Sequence, residues 1–314
     1  MSAKGALIPM MDRLALCNEV LAPWSFEAQC AYASRLGYRG LEVAPFTLAD
    51  DPAAITDAQA AHWRAMADDH GLVVSGLHWL LVAPKGLSVS SRDEAVRSRT
   101  VDFIRRLIDL CALLGGTYLV HGSPAQRNPA DGQTVQDALA RATDCWVAAG
   151  EHAGKAGLVY CIEPLSSDQT QVVNTIAQAM RIVESADLPG LRTMLDTSSA
   201  GRSEDEPVER LVDRWWPSGR LAHVQLNDRN RRGPGQGVDR FGPILAALGR
   251  HGYDGWIAME PFDYQPDGAG CAAHSIGYVR GLLESLDAAE RGGAGKDLGR
   301  SRQATTNDNE ETDR

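Results

Sequence analysis

An eightfold alternation of short apolar runs with longer segments of helical period predicts an α/β fold, a single (β/α)8 TIM barrel. Three observations carry that expectation. The apolar runs are near-continuous rather than alternating, as in parallel strands covered on both faces. The alternation occupies about 275 residues, against the roughly 250 usual for this barrel. The first run is followed by Asn18-Glu19-Val20, where an open doubly wound sheet would carry a glycine-rich phosphate loop.

In chain order the strand-like runs are Leu14–Asn18, Gly40–Ala44, Val73–His78, Tyr118–Gly122, Leu158–Glu163, Leu191–Asp196, Leu221–Leu226 and Trp256–Glu260. Between them, Ser91 with Glu94 reads as a capping box opening a helix in which Val101, Ile104, Leu107, Ile108, Cys111 and Leu114 recur at helical spacing. Gly115-Gly116 stops that helix. Thr56 with Gln59, and Ser203 with Glu206 ahead of Pro207, read as two further capping boxes. "LGYRGLEV" and "HGYDGWIAME" share a pattern in which Gly37 and Gly252 end a helix before the next strand. The barrel is expected over residues 13–288. Residues 289–314, rich in Gly and charge and poor in apolar side chains, are expected to form a disordered polar tail.

The chain has 314 residues, 44% of them hydrophobic, and 31 Lys+Arg against 41 Asp+Glu give a net charge of −10. That composition supports a full core. The acidic balance argues against nucleic acid as a partner, since a phosphate backbone needs a basic surface. No run of 18 apolar residues provides a membrane span, and the start lacks the apolar core of a signal peptide. Cys17, Cys30, Cys111, Cys145, Cys161 and Cys271 form no C-x-x-C pair and read as reduced, buried thiols, so a cytoplasmic location is expected.

In such a barrel the strand ends converge on one mouth. The fifth run ends "YCIEP" at Glu163, the sixth "TMLDT" at Asp196 and the eighth "IAMEP" at Glu260. The seventh, "AHVQLND", offers His223 and Gln225 on one face. Any one of these acids alone reads as a helix cap or an ion pair. Three closing apolar runs are costly to bury unless they are paired or bind a cation. Three carboxylates and an amide oxygen suit a hard divalent ion, Mn²⁺ first and then Mg²⁺ or Co²⁺. Such a site acidifies a C–H between two sugar oxygens and holds the resulting enediolate.

The motifs "CIEPL", "MLDT", "HVQLND…RRGPGQG" and "GYDGWIAMEPF" resemble the xylose-isomerase-like sugar isomerase/epimerase superfamily. The branches most similar are the ketose 3-epimerases of tagatose/psicose type and the hydroxypyruvate isomerases. The resemblance implies one divalent metal held by Glu163, Asp196, Gln225 and Glu260, with Glu163 and Glu260 as the acid/base pair. It also implies a substrate contact from Arg231. Gln225 stands where the epimerases have a histidine and the hydroxypyruvate isomerases a glutamine. Gln169 replaces a second glutamate of the epimerases, and Ser199 a histidine of both branches; each can still bond a hydroxyl. Homodimers or homotetramers are frequent in this superfamily.

His78, with Trp79 beside it, and His121 in "VHGSP" are further candidates for contacting a sugar, as is His223; a packed, hydrogen-bonded imidazole is the alternative reading. Glu42 ends the second run, and Trp24 and Phe46 could cap the mouth. Arg229 and Arg232 are expected to pair with Asp228 and Asp239 and order the glycine-rich loop. The function expected is a metal-dependent ketose 3-epimerase acting on a small sugar. The alternatives are an aldose–ketose or hydroxypyruvate-type isomerase, a lyase or dehydratase on the same scaffold, and a non-catalytic sugar-binding barrel.

Overall fold

The structure, a computed structural model, describes residues 7–304, with side chains through residue 291. Eight parallel strands close into a barrel in sequence order. They are β1 (Leu14–Cys17), β2 (Gly40–Val43), β3 (Val73–Leu77), β4 (Tyr118–His121), β5 (Val159–Ile162), β6 (Leu191–Asp196), β7 (Leu221–Leu226) and β8 (Ile257–Met259). The barrel closes where Leu14, Ala15 and Leu16 of β1 pair with Ile257, Ala258 and Met259 of β8. Each strand lies within the apolar run that predicted it, because a strand buried on both faces has no position where a polar side chain is cheap.

The register matters for function. Asp196 of β6 pairs with Gln225 of β7, and Gln225 pairs with Ala258 of β8, one residue short of the strand end. Side chains at the same height on neighbouring strands therefore meet at the mouth.

Helix ends follow local chemistry. Thr56 and Gln59 form a reciprocal capping box on the helix Asp57–Asp69. Gly37 and Gly115 end their helices in the left-handed conformation at φ 94° and 84°. Two caps differ from the sequence expectation. Asp93, not Ser91, caps the helix Glu94–Leu114 by accepting from Ala95 N at 2.8 Å. Ser203 is already the last residue of the helix Thr197–Ser203, so the next helix, Val208–Trp215, starts after Pro207 without a side-chain cap. The motif was real in composition, but the preceding helix had consumed its first member.

A short helix that the sequence reading did not anticipate, Leu7–Met11, buries Leu7 and Met10 in the core ahead of β1. At the other end the final helix runs from Gly268 to Ala304. Disorder is expected from 289; the backbone is helical as far as Ala304, and residues 305–314 lie outside the described residues.

One contact between layers depends on the absence of side chains. A Cβ on Gly190, in the turn before β6, would lie 2.2 Å from Gly154 N and 2.3 Å from Gly150 O, both on the helix Val135–Lys155. The neighbouring atoms are backbone and cannot swing aside. Gly190→Ala is expected to cost about 1–3 kcal/mol, as overpacking typically does. Denaturant unfolding reads it, and an unchanged midpoint would show that the helix sits farther from the barrel.

Candidate functional site

Glu163 directly follows β5, Asp196 ends β6, Gln225 lies in β7 and Glu260 directly follows β8. All four are buried. One carboxylate oxygen from each of Glu163, Asp196 and Glu260 lies within 4.8 Å of the others. Strand geometry and parallel register produce this cluster with no long loop involved.

Each acid is held by a different device. Asp196 is the N-cap of the helix Thr197–Ser203, its Oδ1 accepting from Ser199 N at 2.6 Å. The cap uses one oxygen, and Oδ2 has no hydrogen-bond partner among the described residues. The capping and cation-binding readings of this residue are therefore compatible. Glu260 Oε1 lies 2.9 Å from His78 Nδ1, while its Oε2 is buried and unpartnered. The main chain at Glu163 is clamped by Arg127, whose Nη1 and Nη2 each donate to the Glu163 carbonyl at 2.8 Å. Arg127 is fully buried and bonded to no carboxylate among the described residues. Across the barrel wall, Gly122 leaves room for the acid: a Cβ there would stand 2.3 Å from Glu163 Oε2.

Packing these acids together has an electrostatic consequence. Burial, and then the charge of Asp196, raise the Glu163 carboxyl well above the ordinary carboxylate range. Burial likewise raises Asp196 against the hydrogen bonds of its cap. Burial raises Glu260 too, and the Glu163 charge adds to it against the His78 hydrogen bond. A divalent cation among the three would relieve that cost.

Beneath the acids lies a buried polar layer. His78 bridges Glu260 and Glu19, its Nε2 lying 2.9 Å from Glu19 Oε2. Burial works against its protonation, but the surrounding acid groups, Cys17 first, raise its proton affinity above the usual imidazole value. Glu42 takes the Tyr118 hydroxyl at 2.5 Å and Gln225 Nε2 at 2.6 Å. His223 Nε2 lies 2.8 Å from Glu42 Oε2, outside hydrogen-bond geometry, and its ring stacks on Tyr118 at 3.9 Å. Burial alone would raise Glu42, yet His223, His78 and the Tyr118 hydroxyl hold it down at about 2.

Among the described residues two groups have ligand-like spacing: Glu163, Asp196 and Glu260, and Cys17, Glu19, His78 and Glu260. In the second, both His78 nitrogens are occupied by acids, and burial raises the Cys17 thiol well above its usual value. A neutral thiol and a saturated imidazole are poor ligands. The first group fits a hard cation better, because Asp196 Oδ2, Glu260 Oε2 and Gln225 Oε1 are buried oxygens without partners.

At the rim, a cavity is lined by Trp79, Glu163, Gln169, Asp196, Ser199, Arg231 and Phe262, among others. Trp79 stacks on Phe262 at 5.5 Å between ring centres and lies 5.9 Å from Phe46. Arg231 sits at a positive φ of 68°, its carbonyl gripped by the amides of Phe262 and Asp263 and its guanidinium 5.7 Å over the Phe262 ring. No acid pairs with it among the described residues. Arg229 pairs with Asp239 as expected, whereas Arg232 pairs with Asp263 instead of Asp228. Gln169 and Ser199 both reach the cavity wall. Trp24 packs edge-on against Tyr32 and is 41% exposed, away from this rim.

The three histidines do not share the rim with these residues. His121 faces the outer helix layer, where its ring meets Trp146 edge-on and Nδ1 bonds the Tyr160 hydroxyl. Strand alternation explains this: Tyr118 points inward on β4, so position 121 points outward. His78 and His223 lie within the buried layer. Glu19 and Arg127 were not singled out from sequence. Both stand in short 3₁₀ turns or just beyond them, after β1 and β4, where periodicity gives no facing.

The description of the xylose isomerase-like TIM barrel matches residues 30–282. The chain belongs to the xylose isomerase-like TIM barrel family. A D-psicose 3-epimerase of Agrobacterium fabrum is 29% identical over 233 residues, 73% of this chain and 76% of that protein. A probable ketose 3-epimerase of Synechocystis is 23% identical over 235 residues, 74% of this chain and 77% of that protein. The structure of a D-psicose 3-epimerase from Clostridium cellulolyticum H10 with D-tagatose superposes with a TM-score of 0.74. It is 19% identical and covers 86% of this chain and 99% of that one. The last comparison supports the fold of this xylose isomerase-like barrel and nothing finer.

The Gly122–Glu163 contact can be checked by a double-mutant cycle. Gly122→Ala is expected to destabilise the protein by about 1–3 kcal/mol and to cost much less when Glu163 is already Ala. Equal costs in both backgrounds would mean that the glycine does not accommodate the acid.

Proposed function

We propose that this protein is a divalent-metal-dependent ketose 3-epimerase. The observation that carries the reading is the set of partnerless buried oxygens on Asp196, Glu260 and Gln225, gathered with Glu163 at one mouth. Glu163, Asp196, Gln225 and Glu260 would hold the ion, Mn²⁺ first and Mg²⁺ or Co²⁺ next, through oxygen alone. When bound, the ion supplies positive charge that stabilises an oxyanion developing on the substrate.

The chemistry of the residues follows from a ketose. Its C3–H lies beside the C2 carbonyl, so breaking that bond sends the electron pair toward the carbonyl oxygen. One of Glu163 and Glu260 takes the proton, and the other returns one to C3 from the opposite face. Configuration at C3 inverts while atoms and charge balance. Both glutamates belong to the buried cluster, where exclusion of water protects the carbanionic carbon from adventitious protonation. Arg127 fixes the main chain at Glu163, Gly122 leaves room for its carboxylate, and His78 orients the Glu260 carboxylate through a hydrogen bond. Gln169, Ser199 and Arg231 are the hydroxyl-binding groups of the rim, and the Trp79–Phe262 stack offers an apolar wall to the C–H face of the sugar.

Gln225 favours a second reading, a hydroxypyruvate-type or aldose–ketose isomerase, which would exchange protons at C1 and C2 instead. Turnover in D₂O separates the two. The epimerase reading predicts deuterium at C3 alone; label at C1 with an aldose product would contradict it. Glu163→Gln and Glu260→Gln are each expected to lower kcat by about 10²–10⁴-fold while the far-ultraviolet circular dichroism stays native. Near-normal epimerisation of ketohexoses by both variants would remove the assignment.

A further inference from the structure

We infer that Glu42 is a positioning residue that fixes which end of the Gln225 amide faces the carboxylate cluster. The inference rests on the proposed metal site and assigns a role to a residue outside its ligand set.

A glutamine amide presents two ends of nearly equal shape, one donating and one accepting. Gln225 is in register with Asp196, beside three buried acids. Left to itself, the amide would turn its NH₂ toward those acids and become useless as a ligand. Glu42 prevents this. Its Oε1 accepts from Gln225 Nε2 at 2.6 Å, and its Oε2 accepts from the Tyr118 hydroxyl, so both oxygens of Glu42 are engaged as acceptors. Gln225 Oε1 is thereby left buried and without a partner, on the side away from Glu42.

The groups around Glu42 keep it an acceptor. Its Oε2 takes the Tyr118 hydroxyl, and Tyr118 is itself within 3.0 Å of Ser75 Oγ. His223 Nε2 stands 2.8 Å from Oε2 and His78 Nδ1 3.7 Å from Oε1. Glu42 is on β2 and Gln225 on β7, so the contact crosses the barrel and ties the orientation of one ligand to the opposite wall.

The experiment is a double-mutant cycle read by Mn²⁺ affinity on the metal-stripped protein, using the electron paramagnetic resonance of free Mn²⁺. Glu42→Gln can donate as well as accept and releases the amide. Mn²⁺ affinity is expected to fall about 10–100-fold, the usual effect of losing a group that orients a ligand. Gln225→Leu should fall by a similar factor, and the double variant should fall no further, because Glu42 acts through Gln225. Wild-type affinity in Glu42→Gln would overturn the inference. Losses that multiply would do so too, since they would mark Glu42 as a remote charge rather than an orienting group. A wild-type chain that binds no Mn²⁺ would overturn the metal site and this inference together. Should Glu42→Gln not fold, Glu42→Asp replaces it: the charge stays and the acceptor is drawn back from Gln225 Nε2, so at least tenfold weaker Mn²⁺ binding is expected, and wild-type affinity contradicts the inference.

Discussion

Three carboxylates, all but buried, are held within 4.8 Å of one another, and the polar architecture of the barrel mouth is organised around them. Such an arrangement is unfavourable by itself, because burial and mutual repulsion both oppose ionisation. Much of the polar architecture around the mouth makes sense as a means of enforcing it. A buried guanidinium grips the backbone at Glu163, a helix N-terminus takes one oxygen of Asp196, and an imidazole takes one oxygen of Glu260. Each device leaves an oxygen uncommitted. A set of acids meant only to stabilise the fold would have been satisfied by its neighbours.

Below that cluster the barrel interior is polar where a typical barrel of this type is filled with aliphatic layers. Glu42, Tyr118, His223 and Gln225 replace part of the apolar packing with a connected network. Networks of this kind are costly when incomplete and confer a unique arrangement when satisfied. Here Glu42 is satisfied by Tyr118 and Gln225, while the His223 ring nitrogens and Gln225 Oε1 are buried without hydrogen-bond partners among the described residues. The rim supplies the contrasting surface: stacked aromatic rings, an amide, a hydroxyl and an arginine without an acid partner among the described residues.

Much of this was legible in the sequence, for a physical reason. Strands buried on both faces read as continuous apolar runs, so a polar residue ending such a run is conspicuous; Glu163, Asp196 and Glu260 stood out in that way. Facing was harder. Period-two alternation placed His223 and Gln225 on one face of β7, and the same rule applied to β4 from Tyr118 would have turned His121 outward. Glu19 and Arg127 were invisible because they follow strands in short irregular turns, where no periodicity reports direction. Partners of the surface arginines escaped as well: Arg232 met Asp263 across a loop whose path composition does not encode.

The most direct measurement is the stoichiometry of Mn²⁺ bound by the stripped wild-type protein, set beside Asp196→Asn. Asparagine keeps the helix cap and removes the charge, so the fold is preserved while the cluster loses one acid. One tightly bound ion per chain is expected in the wild type, and a loss of at least tenfold in affinity in the variant. Equal binding by both proteins, or none by the wild type, would contradict it.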